Sequence, residues 1–339
     1  MPVPLSGLTT LAFTRATDIS NDVWSALDSY ANDANVILPQ ANKALIAESS
    51  GQPSGYHLWI ACSWNGIVEF VLSCTPGDMG EYPIFICATM PFNYLTDAYI
   101  RPRIGLVAAR LRAEIPSVGR VYSVYAPEPV TKLFAEEWTR LTGIRHYSEP
   151  YYAANITFCT TRSFVNRQTS VHPSLTYDLR LAEENDIPAI APLCYGFAKE
   201  SPPFDLTEYE SHQEATNLVR NKQVWVHTVR KPGQSQVEIA SIVATTRNTD
   251  KVGTISKVYT NPTWRRHGCA ERLVRRVCKH LLNTKNSVVL YVAHSNHGAA
   301  KVYHRVGFQG LSADDDPVEG VYPWLELGFD QNEVELGHW

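Results

Sequence analysis

Two stretches of this chain carry the same succession of patterns, and any fold assigned to it must accommodate both. In the first, "GLVAARLRAEI", "RVYSVYA" and "VTKLFAEEWTRLTG" read as helix, strand and helix, the last stopping at Gly143. In the second, "CAERLVRRVCKHLL", "SVVLYVA" and "AAKVYHRVG" repeat that order and stop at Gly307. Gly105 precedes Gly143 by nearly the same interval as Gly268 precedes Gly307. Self-similarity on this scale implies two copies of one arrangement. The 339 residues also exceed what one core commonly supports, so two similar α/β lobes are expected. With a linker read at 163–175, the expected domains are 1–165 and 176–339.

The remaining pattern is mostly strand. "HLWIACSW", "IVEFVLSCT" and "YPIFICATM" precede the first copy, and "YAANITFCTT" follows it. In the second half, "TYDLRL" leads to a hairpin, "NKQVWVHTVR" and "QVEIASIVATTR" around "KPGQ". One strand, "KVGTISKVYT" (251–260), then enters a helix at 266–282. "ADDDP" (313–317) reads as a solvated turn, and "VYPWLELGF" as the last strand of the second domain.

A formal net charge of −4 gives no global argument for nucleic acid as a partner. The seven cysteines are dispersed without a CxxC pair, which reads as buried thiols in a reducing compartment and gives no metal-ligand spacing. The start, "MPVPLSGLTT", lacks a signal pattern, and no apolar run is long enough for a membrane span. The expectation is a soluble, cytoplasmic monomer or homodimer with no membrane partner and no metal.

The most suggestive chemistry lies in "TNPTWRRHGCAERLVRR" (260–276). A glycine-bearing loop entering a helix can aim unpaired N–H groups at an anion, and the helix end adds partial positive charge. Arg265 and Arg266 can supply charge-assisted bonds to phosphate. Gly268 permits close backbone approach, and Ala270 is small enough not to obstruct it. The same residues also fit a turn followed by a basic, solvated helix face. Neither a Walker loop nor GxGxxG is present, which argues against an NTPase or a dinucleotide enzyme.

In the form Arg265-Arg266-His267-Gly268-Cys269-Ala270, this segment resembles the pyrophosphate motif of the GCN5-related N-acetyltransferases (GNAT), Gln/Arg-x-x-Gly-x-Gly/Ala. The preceding "SKVYT" resembles the family's central strand. "LYVAHSNHGAAKVYHRVGF" (290–308) resembles its second signature, filled by Asn296, Ala299, Ala300, Tyr303, Gly307 and Phe308. The resemblance covers 176–330 and holds only in outline before that. Pro102 stands three before Gly105, Thr139 stands where the second copy has Tyr303, and "YAPEP" replaces the strand end bearing Asn296. It implies two GNAT-like α/β lobes, each a mixed, mostly antiparallel central sheet flanked by helices. The N-terminal lobe would be a degenerate copy without a working cofactor site.

The resemblance further implies acetyl-CoA as acyl donor, held where the central strand splays from its parallel neighbour. An acceptor amine would attack directly in a ternary complex. Cofactor contacts are then expected from Val258, Tyr259 and Thr260, from Arg265, Arg266, His267, Gly268, Cys269 and Ala270, and from Asn296, Ala299 and Tyr303. Tyr303 matches the tyrosine proposed as general acid for the CoA thiol, and it also fits as an aromatic closing its helix. Glu238 and His294 are the candidate bases, and each also fits a structural or solvent-facing role. A nucleophilic Cys269 is rejected, because no positioned His partner is evident. Arg272, Arg275 and Arg276 read as a mostly ordinary charged helix face. The acceptor is expected beside the first two helices of the second lobe, near Tyr195, Phe197 and Phe204. The expected acceptor is a small-molecule amine. The alternatives are a protein or peptide N-acetyltransferase and a non-catalytic CoA-binding scaffold or sensor.

Overall fold

The computed structural model describes residues 7–52, 55–167, 175–312 and 316–338. Residues 168–174 of the expected linker and 313–315 of the expected acidic turn lie outside the described residues. By its contacts the chain divides into two compact units, Met1–Ile156 with Tyr322–Trp339, and Thr157–Val321.

The first unit runs β1 (Leu8–Phe13), α1 (Asn21–Ser29), α2 (Leu38–Ser49), β2 (Leu58–Trp64), β3 (Ile67–Cys74) and β4 (Ile84–Ala88). It continues with α3 (Asp97–Glu114), β5 (Ser123–Pro127), α4 (Glu128–Thr142) and β6 (Tyr152–Thr160), whose last residues belong to the second unit. Strands β1 to β4 are antiparallel neighbours. β4 and β5, joined through α3, are parallel at Ile84↔Val124 and Phe85↔Tyr125. Their near-continuous apolar runs mark strands covered by helices. Ile60, Phe70, Leu72 and Ile86 pack against Ile104, Leu111, Phe134 and Trp138 of α3 and α4.

Helix α3 begins earlier than the expected 104–115 and carries Pro102 inside it. The ring forfeits one i→i−4 bond, but the helix is held by Arg103, fully buried and paired to Glu69 at 2.5 Å. Gly105 therefore lies in mid-helix and is no counterpart of Gly268. The helix-closing glycines do correspond: Gly143 and Gly307 both end helices in the left-handed region, at φ +82° and +114°.

The second unit runs β7 (Thr176–Leu181), α5 (Ile187–Lys199), α6 (Glu208–Arg220), β8 (Val224–Arg230) and β9 (Val237–Ala244). It continues with β10 (Val252–Thr254), β11 (Lys257–Thr260), α7 (Cys269–Leu281), β12 (Ser287–Ala293) and α8 (His297–Val306). β11, β9, β8 and β7 form an antiparallel sheet in that order. The two-residue period of β8 sends Val224 and Val226 toward α5 and α6, and Trp225 toward α7. Helix α6 starts in a capping box, Thr207 with Glu210. In α7, Leu273, Val274, Val277, Cys278 and Leu281 form the buried stripe that the 3.6-residue period predicts.

The last strand, β13 (Tyr322–Gly328), is not part of the second unit, where the sequence placed it. It pairs antiparallel with both β5 and β6 in the first unit's sheet. Trp324 and Phe329 are fully buried there, and Ser123 Oγ donates to buried Glu326 at 2.7 Å. A strand's apolar alternation says which face is buried and nothing about which neighbours it takes, so the expected domain 176–339 is corrected at its end. Each unit is nonetheless a mixed, mostly antiparallel arrangement of strands flanked by helices, and each contains a parallel pair, β4 with β5 and β10 with β12. All seven cysteines are unbridged and buried. Among the described residues, no helix is long and apolar enough to cross a membrane.

Candidate active site

The strand expected as one piece over 251–260 breaks into β10 and β11, and the break shapes the site. β10 runs parallel to β12 over Val252–Thr254, and Ile255 N–H closes that ladder on Val289 O at 2.9 Å. The next residue changes partner: Ser256 N–H donates to Ala244 O of β9 at 3.0 Å. β11 then follows β9 antiparallel at the edge of its sheet, while β12 runs on to Ala293. A wedge opens between them. In an antiparallel ladder only alternate residues exchange bonds. Asn261 N–H donates to Ala240 O, which places Tyr259 and Lys257 in the bonded set. The main-chain groups of Val258 and Thr260 therefore face the wedge.

Beyond β11, Asn261 Oδ1 accepts from the Thr263 N–H at 3.1 Å and starts a 3-10 turn, Pro262–Trp264. Trp264 is buried and donates its indole N–H to Glu238 Oε2 at 2.9 Å. Arg266 (φ +65°) and Gly268 (φ +71°) both adopt left-handed backbone. For Arg266 this costs on the order of 1 kcal/mol, so the loop is held in this shape by its surroundings. Gly268 caps α7 without a side-chain acceptor, leaving the helix's first N–H groups available to an anion. Burial raises the Cys269 thiol above its ordinary range, the opposite of what a nucleophile needs.

The expected site residues divide into two groups. Val258, Thr260, Arg266, His267, Gly268, Cys269 and Ala270 share one wedge-and-loop feature. Asn296 caps α8, its Oδ1 accepting from Ala299 N–H at 3.0 Å, which leaves Nδ2 as its donor. Tyr303 is 8% exposed within the core cluster, with Ala299 packed beside it and its ring edge-on to Phe308 at 5.7 Å. His294 is exposed just after β12. Arg265 turns away from the loop: its Nη2 meets Glu200 Oε1 at 2.6 Å and its Nε donates to Thr260 O at 3.2 Å. Glu238 is also committed elsewhere. Its oxygens accept from Lys231 (2.8 Å) and Trp264 (2.9 Å), and these bonds hold its carboxyl below the usual range. A carboxylate so engaged is a strut for the loop and a poor proton acceptor.

On the face covered by α5 and α6, Lys257, Glu214, Glu200 and Gly196 appear beside the expected residues, and local sequence gave no means to find them. Lys257 Nζ meets Glu214 Oε1 at 2.5 Å, both side chains largely buried, and lies 4.7 Å from the Phe197 ring centre. The Tyr259 hydroxyl donates to Glu200 at 3.3 Å. Burial, then the Glu200 charge, raises the phenol above its ordinary range. Gly196 lets α5 close onto this strand, since a Cβ there would lie 2.5 Å from the Tyr259 hydroxyl. Tyr195 and Phe197 are partly buried on α5, and Phe204 is partly buried in the loop after it.

Residues 234–315 match a family model described as FR47-like protein. Among solved structures, a Drosophila protein aligns at a TM-score of 0.58, 11% identical over 95% of this chain and 98% of that one. A GCN5-related N-acetyltransferase from Sphaerobacter thermophilus aligns at 0.51, 13% identical over 94% of each. A tandem GNAT protein from the clavulanic acid biosynthesis pathway also aligns, at 0.49, with 11% identity over 94% of this chain and 97% of that one. No curated protein matches in sequence. Matches at such identities speak to architecture alone, and the alignments at 0.58 and 0.51 span nearly the whole chain and so both units. The chain has the tandem-lobe fold of the GCN5-related N-acetyltransferases.

Proposed function

We propose that this protein is an acyl-CoA-dependent acyltransferase whose cofactor-binding lobe is the second unit, transferring acetyl to a small-molecule amine. The observation that carries the reading is the wedge between β11 and β12, continued by a loop whose N–H groups converge at the start of α7. Such a row of main-chain donors suits the amides of a pantetheine arm and then a pyrophosphate. Acetyl-CoA would supply the activated thioester. Val258 and Thr260 would align it through main-chain groups, Arg266 to Ala270 would hold its pyrophosphate, and Asn296 Nδ2 with the Ala299 segment would steady the arm. Tyr259, expected among these contacts, has its main chain bonded to β9 and its side chain on the α5 face. Arg265 joins only by releasing Glu200. Tyr303 would hand its proton to the departing sulfur. His294 is the preferred base, given the engagement of Glu238. Phe197, with Tyr195 and Phe204, would receive the apolar body of the acceptor.

In the first unit β4 and β5 also part after Phe85, but the segment that follows β4 differs from the loop before α7. No residue from Thr89 to Asp97 has positive φ, and α3 opens with the carboxylate of Asp97, which disfavours phosphate. Calorimetric titration of the full chain with acetyl-CoA tests the assignment, and absence of saturable binding would sink it. Tyr303→Phe is expected to slow single-turnover transfer to an amine acceptor by roughly 100-fold with acetyl-CoA affinity unchanged. An unaltered rate removes Tyr303 from the mechanism.

A further inference from the structure

We infer that Arg272 is a positioning residue that holds the phosphate loop in its binding shape, gripping the loop's inner side and His227 rather than the phosphate itself. The inference rests on the acyl-CoA reading of that loop. Arg272 lies one turn into α7, and its guanidinium points back beneath the loop. Nη2 donates to His267 O at 2.6 Å, and Nε donates to His227 Nε2 at 3.2 Å. The group lies 5.4 Å from the Tyr177 ring centre, and that ring stacks on His227 at 5.3 Å. Around it is a small recess walled by Leu175, Val229, Trp264 and Cys269. In a trans peptide, C=O and the following N–H point in opposite directions. Drawing the His267 carbonyl inward therefore turns the Gly268 N–H outward, toward the side where an anion would sit. The same guanidinium polices Gly268, since a Cβ there would lie 3.0 Å from Nη1.

His227 completes the grip. It is fully buried on β8 and can accept from Arg272 only while Nε2 is unprotonated, the Nδ1–H tautomer. Burial first, then the Arg272 charge, depresses it to about 4, with a backbone hydrogen bond opposing. Around the ring stand Arg272 from α7, Tyr177 from β7, and His267 and Cys269 from the loop. The carbonyl of His267 and Nε2 of His227 are uncharged acceptors, and Cys269 Sγ lies 3.7 Å from Nη2.

The test is calorimetric titration of CoA into the full chain and its variants, with melting temperatures to confirm folding. Arg272→Met is expected to weaken CoA binding about ten-fold or more. Arg272→Lys, which keeps the charge but cannot span both acceptors, should fall nearly as far. His227→Gln retains an acceptor for Nε and should bind within about three-fold of the parent, whereas His227→Leu should lose as much as Arg272→Met. The losses should persist at high ionic strength, where simple charge attraction fades. Parental affinity in Arg272→Lys, or a deficit confined to low salt, would show that charge alone matters and overturn the proposal. If Arg272→Met does not fold, the Gln and Leu variants of His227 decide, and equal affinity in those two overturns it. An unsubstituted chain that binds no CoA removes the acyl-CoA reading instead.

Discussion

A methyl group added at Gly307 and one added at Gly105 are expected to have opposite effects. Gly307 ends α8 at φ +114°, and a Cβ there would lie 2.1 Å from Ser163 O. Gly307→Ala should destabilise by roughly 2 kcal/mol or more. Gly105 sits inside α3 with open space around its missing Cβ, so Gly105→Ala should stabilise by about 0.5–1 kcal/mol. Thermal unfolding measures both. Asp33 gives a pH-dependent case. It is buried in the first unit, accepts the Tyr322 hydroxyl, and burial raises its carboxyl from 3.8 to about 7, against a backbone hydrogen bond. The folded state thus holds this proton more tightly than the unfolded one. The stabilisation is complete below pH 3.8 and is lost as pH rises through 7, at most on the order of 4 kcal/mol. Asp33→Asn should flatten that loss, so its advantage in urea unfolding grows from pH 5 to pH 8. An advantage that does not change with pH would contradict the assignment. His227 acts in the other direction: its neutral form favours folding above pH 6.5, and that contribution is lost as pH falls toward 4.

Among the elements, the loop before α7 is the one whose support differs most from what its residues suggest singly. Arg265 and Arg266 read as phosphate ligands and Glu238 as a base. In the fold, Arg265 belongs to Glu200, Trp264 hangs from Glu238, and Arg272 grips the loop from below. Glu238→Gln is therefore expected to lower CoA affinity by a few-fold while leaving the pH dependence of the transfer rate unchanged. A lost basic limb with intact CoA affinity would restore Glu238 as the base. The helix itself was legible, because its apolar stripe and its glycine cap repeat within a turn. The break between β10 and β11 was not, because "TISKVY" around it carries no breaker residue. It arises where the chain exchanges one strand partner for another, Val289 for Ala244.

For the whole molecule, the strand that finishes the chain finishes the first unit. Removing 322–339 would leave β5 and β6 without the strand that pairs with both, and would delete the buried Trp324, Leu327 and Phe329. A chain ending at Val321 is expected to lose hydrogen-exchange protection across Ser123–Pro127 and Tyr152–Ile156. Protection kept there would contradict the pairing. By itself the sequence determined the helix–strand–helix repeat with its closing glycines Gly143 and Gly307, the glycine loop and the Tyr303–Gly307 spacing, since each rests on interactions within a few turns of chain. Only the tertiary structure decided which sheet takes β13, where β10 gives way to β11, and what Arg265 and Arg272 hold. Those partners lie 65 and 45 residues away in sequence. Contacts at such separations depend on how the whole chain closes, and residue type and local periodicity carry no record of that.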